Sequence, residues 1–181
     1  MVIMFSLSID SELKLALIES SFAPLYVELV RSQQDYLSQW LAWPPHCQTE
    51  QDFQAFIKRS LHDYAEGKAM TCAIFYQDRL VGNCSFNQID YNLSKVTIGY
   101  WLSQQEQGKG IISRVVKMLT DIAFNTLEID KVEIATAVDN RPSRTVVERL
   151  GFSYEGTITN SENLNGRIVD HAIYGLKRPT A

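Results

Sequence analysis

The stretch QEQGKG, residues 105–110, has the residue types of an anion-binding loop. An apolar, strand-like run precedes it and a helix-like run follows it. Gly108 and Gly110 lack a Cβ atom, so the backbone between them can approach a diphosphate closely. Successive backbone N–H groups form a concave nest, and the N-terminus of the following helix adds about half a positive charge. The loop is therefore a candidate phosphate site that needs neither a metal ion nor a lysine.

Two other nucleotide-binding motifs compete for this loop. A Walker A loop, G-x-x-x-x-G-K-S/T, is absent because Ser103 stands where its first glycine should be. A dinucleotide fingerprint is nearer, since Gly108-x-Gly110-x-x-Ser113 differs from G-x-G-x-x-G at one position. The acid that should follow the next strand, Asp139, comes late, and too little chain remains after it for a second nucleotide-binding half. We therefore disfavour both motifs.

Length and composition are those of an ordinary globular chain. It has 181 residues, 45% of them hydrophobic, which predicts a single domain, 1–181, with its own core. A formal net charge of -4 provides no basic footprint for nucleic acid. The apolar runs are too short to cross a membrane, and the start MVIMFSLSID lacks the basic region of a signal peptide. We expect a cytoplasmic protein without direct nucleic-acid or membrane partners.

The cysteines and histidines predict no metal site. Cys47, Cys72 and Cys84 form an odd, sparse set without a C-x-x-C pair, which disfavours both a zinc site and a disulfide framework. The histidines are scattered, with no thiol or carboxylate at metal-ligand spacing. We interpret the cysteines as reduced, packed thiols.

Hydrophobic periodicity predicts an α/β domain. The expected strands are 13–18, 70–76, 79–89, 95–102, 132–138, 152–158 and 168–176. The expected helices are 23–40 with a break at 32–35, a helix capped by Thr49 that ends near Gly67, one after the glycine loop, and 142–150. The segment NSENLNGR, residues 160–167, is expected to link the last two strands. Connections between the middle strands are too short for a parallel doubly wound fold, so the sheet should be mixed.

The loop also fits the pattern Q/R-x-x-G-x-G/A, through Gln105, Gly108 and Gly110. In this the chain resembles the GNAT superfamily of acetyl-CoA-dependent N-acetyltransferases, and within it the RimL/RimJ-like ribosomal-protein acetyltransferases, over about residues 13–177. One supporting segment ties N-x-x-S to a G-F-x-x-E-G turn at fixed spacing. The segments that carry the resemblance are IGYWLSQQEQGKGIISR (98–114), VDNRPSRTVVERLGFSYEG (138–156), VGNCSFNQID (81–90) and LSQWLAWP (37–44).

The resemblance implies a mostly antiparallel sheet whose central strands, 95–102 and 132–138, splay apart, with flanking helices. Acetyl-CoA would be the co-substrate, with its pantetheine arm in the gap. A backbone N–H near Tyr100–Trp101 could stabilise the developing oxyanion. The residues implied to bind acetyl-CoA are Trp101, Leu102, Gln105, Gln107, Gly108, Lys109, Gly110, Ile111, Asn140 and Ser143.

The resemblance also implies catalytic residues. Many GNAT enzymes place a tyrosine acid in the helix before the G-F turn, but Val147 stands at that position. The RimL-like subgroup suggests Ser143 instead, whose hydroxyl can donate to the leaving thiolate. Glu155 and Glu162 are candidate bases, directly or through water, and the choice between them stays open. An α-amine, with a pKa near 7.7–8.0, needs only modest help from either.

Tyr36, Trp40 and Trp43 lie in the region that forms the acceptor wall in this family, and the resemblance of LSQWLAWP to the RimL-like loop favours a peptide acceptor. The resemblance therefore implies acetylation of a protein N-terminus, with a ribosomal protein as a candidate acceptor. Small amines such as polyamines or aminoglycosides are alternative acceptors, and a non-catalytic acyl-CoA-binding sensor is an alternative function. The resemblance also allows a homodimer.

Overall fold

A computed structural model describes residues 5–179, which form one sheet with helices on both faces. The strands are β1 (Ser6–Ser8), β2 (Leu13–Leu17), β3 (Met70–Tyr76), β4 (Arg79–Asp90), β5 (Lys95–Leu102), β6 (Lys131–Ala137), β7 (Ser153–Leu164) and β8 (Arg167–Lys177). The α-helices are α1 (Ala23–Arg31), α2 (Gln34–Leu37), α3 (Glu50–Ala65), α4 (Ile111–Asn125) and α5 (Arg141–Arg149). Short 3-10 turns cover Ser20–Phe22, Pro44–His46 and Gln104–Glu106.

The sheet has the order β1-β2-β3-β4-β5-β6-β8-β7 and is antiparallel except between β5 and β6. The parallel pairing of β5 with β6 ends at Ile98 and Ile134. Both strands continue for several residues beyond that pair, to Leu102 and Ala137, so they diverge and open a gap at the centre of the sheet. The predicted mixed, mostly antiparallel sheet with splayed central strands is confirmed.

Hydrophobic side chains fill the space on both faces of the sheet. The cluster on one face joins the strands to α4 and to Val147 of α5. The cluster on the other face joins them to α1 and α3. Ile74 and Phe75, adjacent on β3, belong to different clusters, as alternation along a strand requires.

Two strand predictions were wrong, both at the edges of the sheet. β1 was not predicted, because three exposed residues carry no hydrophobic pattern. β7 extends to Leu164, so most of the segment 160–167 is strand, and the turn is reduced to Asn165 and Gly166. An edge strand that pairs only with β8 can be polar on both faces, so its sequence resembled a loop.

The start of α3 follows the prediction. Thr49 accepts a hydrogen bond from the Asp52 backbone N–H at 3.2 Å, and the Asp52 carboxylate accepts one from the Thr49 N–H at 2.9 Å. This reciprocal capping box satisfies two N–H groups that the helix itself leaves unpaired. It fixes the start of α3, a few residues after Trp43, Pro44 and Pro45.

Among residues 5–179, no helix is both long and apolar enough to span a membrane. Within the same residues, no group of three His, Cys, Asp or Glu side chains could hold a metal ion. Residues 1–4, the start of the segment MVIMFSLSID, lie outside the described residues.

Candidate active site

The gap between β5 and β6 opens into a cleft of about 1420 Å³. Its lining includes the glycine loop before α4, the start of α5, the turn after α2 and part of the β7–β8 hairpin. A typical small-ligand pocket has roughly 300–1,000 Å³, so the cleft has room for two ligands side by side.

The glycine loop presents open backbone to this cleft. Gly108 has φ +77° and Gly110 has φ +69°, and a Cβ atom added to either would meet no atom within 4 Å. Both glycines are therefore required by the left-handed backbone, while the space beside them stays free. Within residues 5–179 no side chain caps α4, so the N–H groups of its first turn can bind an anion.

A buried carboxylate holds the lysine of the loop. Glu106 is only 4% exposed, and its carboxylate lies 2.6 Å from Lys109 Nζ and 3.2 Å from an Arg79 guanidinium nitrogen. Lys109 Nζ also lies 5.4 Å from the centre of the Tyr76 ring. Lys109 and Gln105 are not among the residues that line the cleft, so their predicted contact with acetyl-CoA stays a prediction.

The remaining residues predicted to bind the co-substrate do line the cleft. Gln107, Gly108, Gly110 and Ile111 lie at the loop and the start of α4. The other four lie on β5 and around the start of α5, namely Trp101, Leu102, Asn140 and Ser143.

Asn140 and Ser143 shape the start of α5. Asn140 is the N-cap, and its side-chain oxygen accepts a hydrogen bond from the Ser143 N–H at 3.2 Å. The Ser143 Oγ lies 2.8 Å from the Tyr100 hydroxyl, which comes from β5 on the other side of the gap. Burial raises the pKa of the Tyr100 phenol, and the hydrogen bond with Ser143 lowers it in part. Sequence reasoning used only the backbone near Tyr100 and missed this side chain.

A hydrogen-bond network fixes α5 against the sheet. Arg144 Nε donates to the Tyr174 hydroxyl at 2.8 Å, and a second guanidinium nitrogen donates to the Val138 carbonyl at 3.0 Å. The Tyr174 hydroxyl donates in turn to Glu148 at 2.7 Å. Val147, fully buried, packs into the core on the face of α4. The helix that carries Ser143 therefore has a defined position beside the gap.

Residues 13–153 match the family model described as acetyltransferase (GNAT) domain. The chain belongs to the GNAT acetyltransferase family. It is 30% identical over 174 residues to the putative ribosomal N-acetyltransferase YdaF of Bacillus subtilis (strain 168), covering 96% of this chain and 95% of that protein. It is 34% identical over 159 residues to a ribosomal-protein-serine acetyltransferase of Escherichia coli (strain K12), covering 88% of each.

Solved structures of the family show the same fold. RimL, a ribosomal α-N-protein acetyltransferase in complex with coenzyme A, aligns with a TM-score of 0.91 and 28% identity over 95% of this chain and 97% of that chain. The self-immunity acetyltransferase MccE, in complex with acetyl-CoA and AMP, aligns with a TM-score of 0.89 and 29% identity over 94% of each chain. The chain is thus an acetyl-CoA-dependent N-acetyltransferase of the GNAT type, as predicted.

The cleft of this acetyltransferase suits its co-substrate. The glycine loop and the uncapped start of α4 can bind a diphosphate through backbone N–H groups. Past Ile98 and Ile134, the facing edges of β5 and β6 have no partner in the described sheet, so an extended arm can lie between them. When bound there, acetyl-CoA supplies the activated acetyl group.

Of the two candidate bases, one lies in the cleft. Glu162 lines it, and its Oε2 lies 3.1 Å from His171 Nε2, another residue of the lining. Glu155 is not among the lining residues, and its carboxylate accepts a hydrogen bond from Lys131 Nζ at 2.6 Å. Sequence reasoning assigned no role to His171, because nothing in the sequence shows that β8 places it beside Glu162.

A bulge in β7 orients Glu162. Ile158 pairs with His171, but the next pair is Glu162 with Val169, so β7 has extra residues at this point. The Asp170 carboxylate accepts a hydrogen bond from the Asn160 N–H at 2.9 Å, which closes the bulge. Bulges redirect side chains, and this one lets Glu162 reach the cleft.

The three aromatic residues predicted to contact the acceptor all line the cleft. The Trp43 ring centre lies 5.8 Å from that of Trp101 on β5. The Trp40 ring lies 5.7 Å from the Arg167 guanidinium of the β7–β8 hairpin. Tyr36 contributes its hydroxyl, which accepts a hydrogen bond from the Gln107 side chain of the glycine loop. This aromatic wall therefore connects the loop, the central strand and the hairpin.

Proposed function

We propose that this acetyltransferase modifies the N-terminal α-amine of a protein, with a ribosomal protein as the first candidate. One observation carries the proposal. The lining of the cleft combines three aromatic side chains, Tyr36, Trp40 and Trp43, with the Ser143 hydroxyl and the Glu162 carboxylate. An extended peptide could lie along these aromatic side chains with its amine near that carboxylate. The names of the relatives in Bacillus subtilis and Escherichia coli, both ribosomal acetyltransferases, support the same class of acceptor.

The reaction then needs few groups from the protein. The α-amine nitrogen attacks the carbonyl carbon of the thioester, the new C–N bond forms, and the C–S bond breaks. Glu162, directly or through a water molecule, takes the proton that the amine loses. The Ser143 hydroxyl donates a hydrogen bond to the sulfur as it gains negative charge. Holding amine and thioester together could contribute roughly 7–11 kcal/mol if they are well aligned.

The chemistry of the cleft favours an α-amine over a lysine side chain. An α-amine has a pKa near 7.7–8.0 and a lysine amine one near 10.4. A substantial fraction of α-amines is therefore already neutral near pH 7.5, and one partly exposed carboxylate is sufficient help. The Glu162 side chain is 36% exposed, which leaves it open to an acceptor and to water.

A polyamine acceptor is less suited to this lining. Its several positive charges would require several unpaired carboxylates. Glu106 is already paired with Arg79 and Lys109, and Asp52 forms the cap of α3. Two arginines, Arg59 and Arg149, line the cleft as well. Glu162, the remaining carboxylate among the lining residues, already lies 3.1 Å from His171 Nε2.

The test is an acetylation assay with matched peptides. Peptides copied from ribosomal-protein N-termini, beginning with Ser or Ala and containing an internal lysine, would be incubated with acetyl-CoA. Free CoA release and mass spectrometry would be followed together. We expect a gain of about 42 Da, the acetyl increment, on the α-amine.

Controls separate the alternative acceptors. The same peptides with a blocked α-amine should give no product, and spermidine and an aminoglycoside should give much slower CoA release. Acetylation confined to the lysine or to a small amine would contradict the proposal. Saturable acetyl-CoA binding with no product on any amine would instead support a sensor.

A further inference from the structure

A serine hydroxyl is a weak acid with a single proton. It can stabilise a leaving thiolate only if that proton points at the sulfur. In the first turn of a helix, a serine hydroxyl commonly turns back and donates to a nearby backbone carbonyl. Ser143 occupies such a position in α5, and the cap oxygen of Asn140 is already taken by the Ser143 N–H. Something must therefore direct the Ser143 hydroxyl toward the gap.

The Tyr100 hydroxyl is placed to do this. It lies 2.8 Å from Ser143 Oγ and 3.5 Å from the Ser143 carbonyl oxygen, so the hydroxyl is much the closer partner. A phenol is a stronger acid than an alcohol and is therefore the better donor of the two. When Tyr100 donates to Ser143 Oγ, one lone pair of that oxygen is occupied, and the serine proton is left for a third group.

We propose that Tyr100 is a positioning residue for Ser143. Its phenol donates to Ser143 Oγ and orients the serine proton toward the sulfur of the bound thioester. Tyr100 lies on β5 two residues past Ile98, the last residue that pairs with β6, whereas Ser143 lies on the helix that follows β6. The two hydroxyls thus meet across the gap in which the reacting thioester would lie. Hydrogen bonds in such a chain strengthen one another.

The chain of hydroxyls requires no net proton transfer from the protein. As the C–S bond breaks, the electron pair remains on sulfur, and the thiolate accepts the Ser143 hydrogen bond. The proton lost by the amine passes to Glu162 and then to solvent. The released thiolate takes its proton from solvent, so Tyr100 and Ser143 end in their starting protonation states.

The inference rests on the proposed role of Ser143, and its first test is independent of the acceptor. Coenzyme A would be bound to the enzyme and its thiol titrated by ultraviolet thiolate absorbance. A hydrogen bond to the thiolate lowers the pKa of the thiol relative to free coenzyme A. We expect Tyr100→Phe to raise that pKa by about one unit, toward the value with Ser143→Ala, which corresponds to a tenfold change in the ionisation constant. Tyr91→Phe, at a residue 60% exposed beyond β4, should titrate as wild type.

The second test uses turnover with whichever amine the enzyme accepts. We expect Tyr100→Phe to lower kcat roughly 10- to 100-fold, the range for losing one hydrogen bond to a charged group, with little change in KM for acetyl-CoA. The double variant Tyr100→Phe, Ser143→Ala should be no slower than Ser143→Ala alone, because both act through one hydroxyl. A wild-type titration and kcat in Tyr100→Phe, or additive losses in the double variant, would overturn the inference.

The outcomes distinguish this inference from the proposed function. If no peptide is acetylated but the thiol titration shifts as expected, the acceptor proposal fails and the role of Tyr100 stands. If Ser143→Ala changes neither turnover nor titration, the acid assignment fails and the role of Tyr100 fails with it. Because Phe retains the ring that packs in the core, unfolding should not obscure these results, and a thermal melt of each variant checks this.

Discussion

Glu162 Oε2 and His171 Nε2 lie 3.1 Å apart, on neighbouring strands, in the wall of the acetyl-transfer cleft. The contact exists because β7 bulges between Ile158 and Glu162, which brings Glu162 close to a residue that pairs with Ile158. The His171 side chain is 18% exposed, and the Glu162 side chain is twice as exposed, at 36%. Because the His171 imidazole forms a hydrogen bond with one carboxylate oxygen of Glu162, the other oxygen is left for an acceptor amine.

This geometry predicts which carboxylate acts as the base. Glu162→Gln should lower kcat about 100-fold at neutral pH, the lower end of the range for general bases. The loss should shrink as the pH rises through the pKa of the α-amine, near 7.7–8.0, because a growing fraction of the amine is then already neutral and does not depend on Glu162 to lose its first proton. The measurement is kcat against pH with a serine-initiated peptide.

Glu155→Gln is the matched control, since Glu155 is bonded to Lys131 and does not line the cleft. Its kcat should stay close to that of wild type at every pH. Equal losses in the two variants, or a loss in Glu162→Gln that does not depend on pH, would show that Glu162 is not the base.

The glycine loop predicts a variant that cannot bind the co-substrate. Gly108→Glu places a negatively charged side chain where the backbone should meet a diphosphate, so acetyl-CoA binding should fall below detection by calorimetry. Gly67→Glu is matched to it, because Gly67 has φ +69°, has no atom within 4 Å of an added Cβ and lies at the end of α3, outside the cleft. Equal losses of acetyl-CoA affinity in both variants would indicate backbone strain as the cause.

Local motifs were predictable from the sequence. The glycine loop, the Asn140 cap with Ser143 and the Thr49 cap each depend on residues a few positions apart, and such spacing fixes which atoms meet. The two helix N-caps and the glycine positions were therefore predicted correctly in type and place. The strands of the central sheet were found for a similar reason, because burial on both faces gives them continuous apolar runs.

The contacts that complete the site were not predictable in this way. Tyr100 meets Ser143, and Glu162 meets His171, through pairings between distant elements and through a bulge whose register no short pattern encodes. The predicted strand ended at residue 158, short of the end of β7, because an edge strand can carry polar residues throughout, including those at the bulge. Without the full length of β7, the neighbour of Glu162 could not be inferred.

The network under α5 predicts a loss of stability with a smaller effect on catalysis. Tyr174→Phe removes the hydroxyl that accepts from Arg144 and donates to Glu148, leaving both groups without that partner. The free energy of unfolding should fall by about 0.5–1.5 kcal/mol, the usual net contribution of a hydrogen bond, because water can still reach Glu148 and part of Arg144. Urea denaturation measures this, and kcat per folded molecule should fall only modestly.

Tyr154→Phe controls for the loss of a hydroxyl near the same ring. Tyr154 packs against Tyr174 with ring centres 5.7 Å apart, but it is exposed, and its hydroxyl forms a hydrogen bond with Thr157, which is exposed as well. The free energy of unfolding of the Tyr154→Phe variant should differ from that of the wild type by less than about 0.5 kcal/mol, as for other surface substitutions. A larger loss in Tyr154→Phe than in Tyr174→Phe would contradict a stabilising role for the Arg144 network.

The aromatic wall predicts different effects for its two tryptophans. Trp40 packs against Arg167 of the β7–β8 hairpin and lines the cleft, so Trp40→Ala should raise KM for the peptide and leave the acetyl-CoA affinity unchanged. Trp43 packs against Trp101, a residue of the strand that borders the gap, so Trp43→Ala should weaken both substrates. Each loss in kcat/KM should be about tenfold, similar to the contribution of one aromatic contact. Steady-state kinetics with each substrate varied, together with calorimetry of acetyl-CoA binding, separate the two cases. A loss of acetyl-CoA affinity in Trp40→Ala as large as its loss of peptide affinity would mean that the wall does not belong to the acceptor alone.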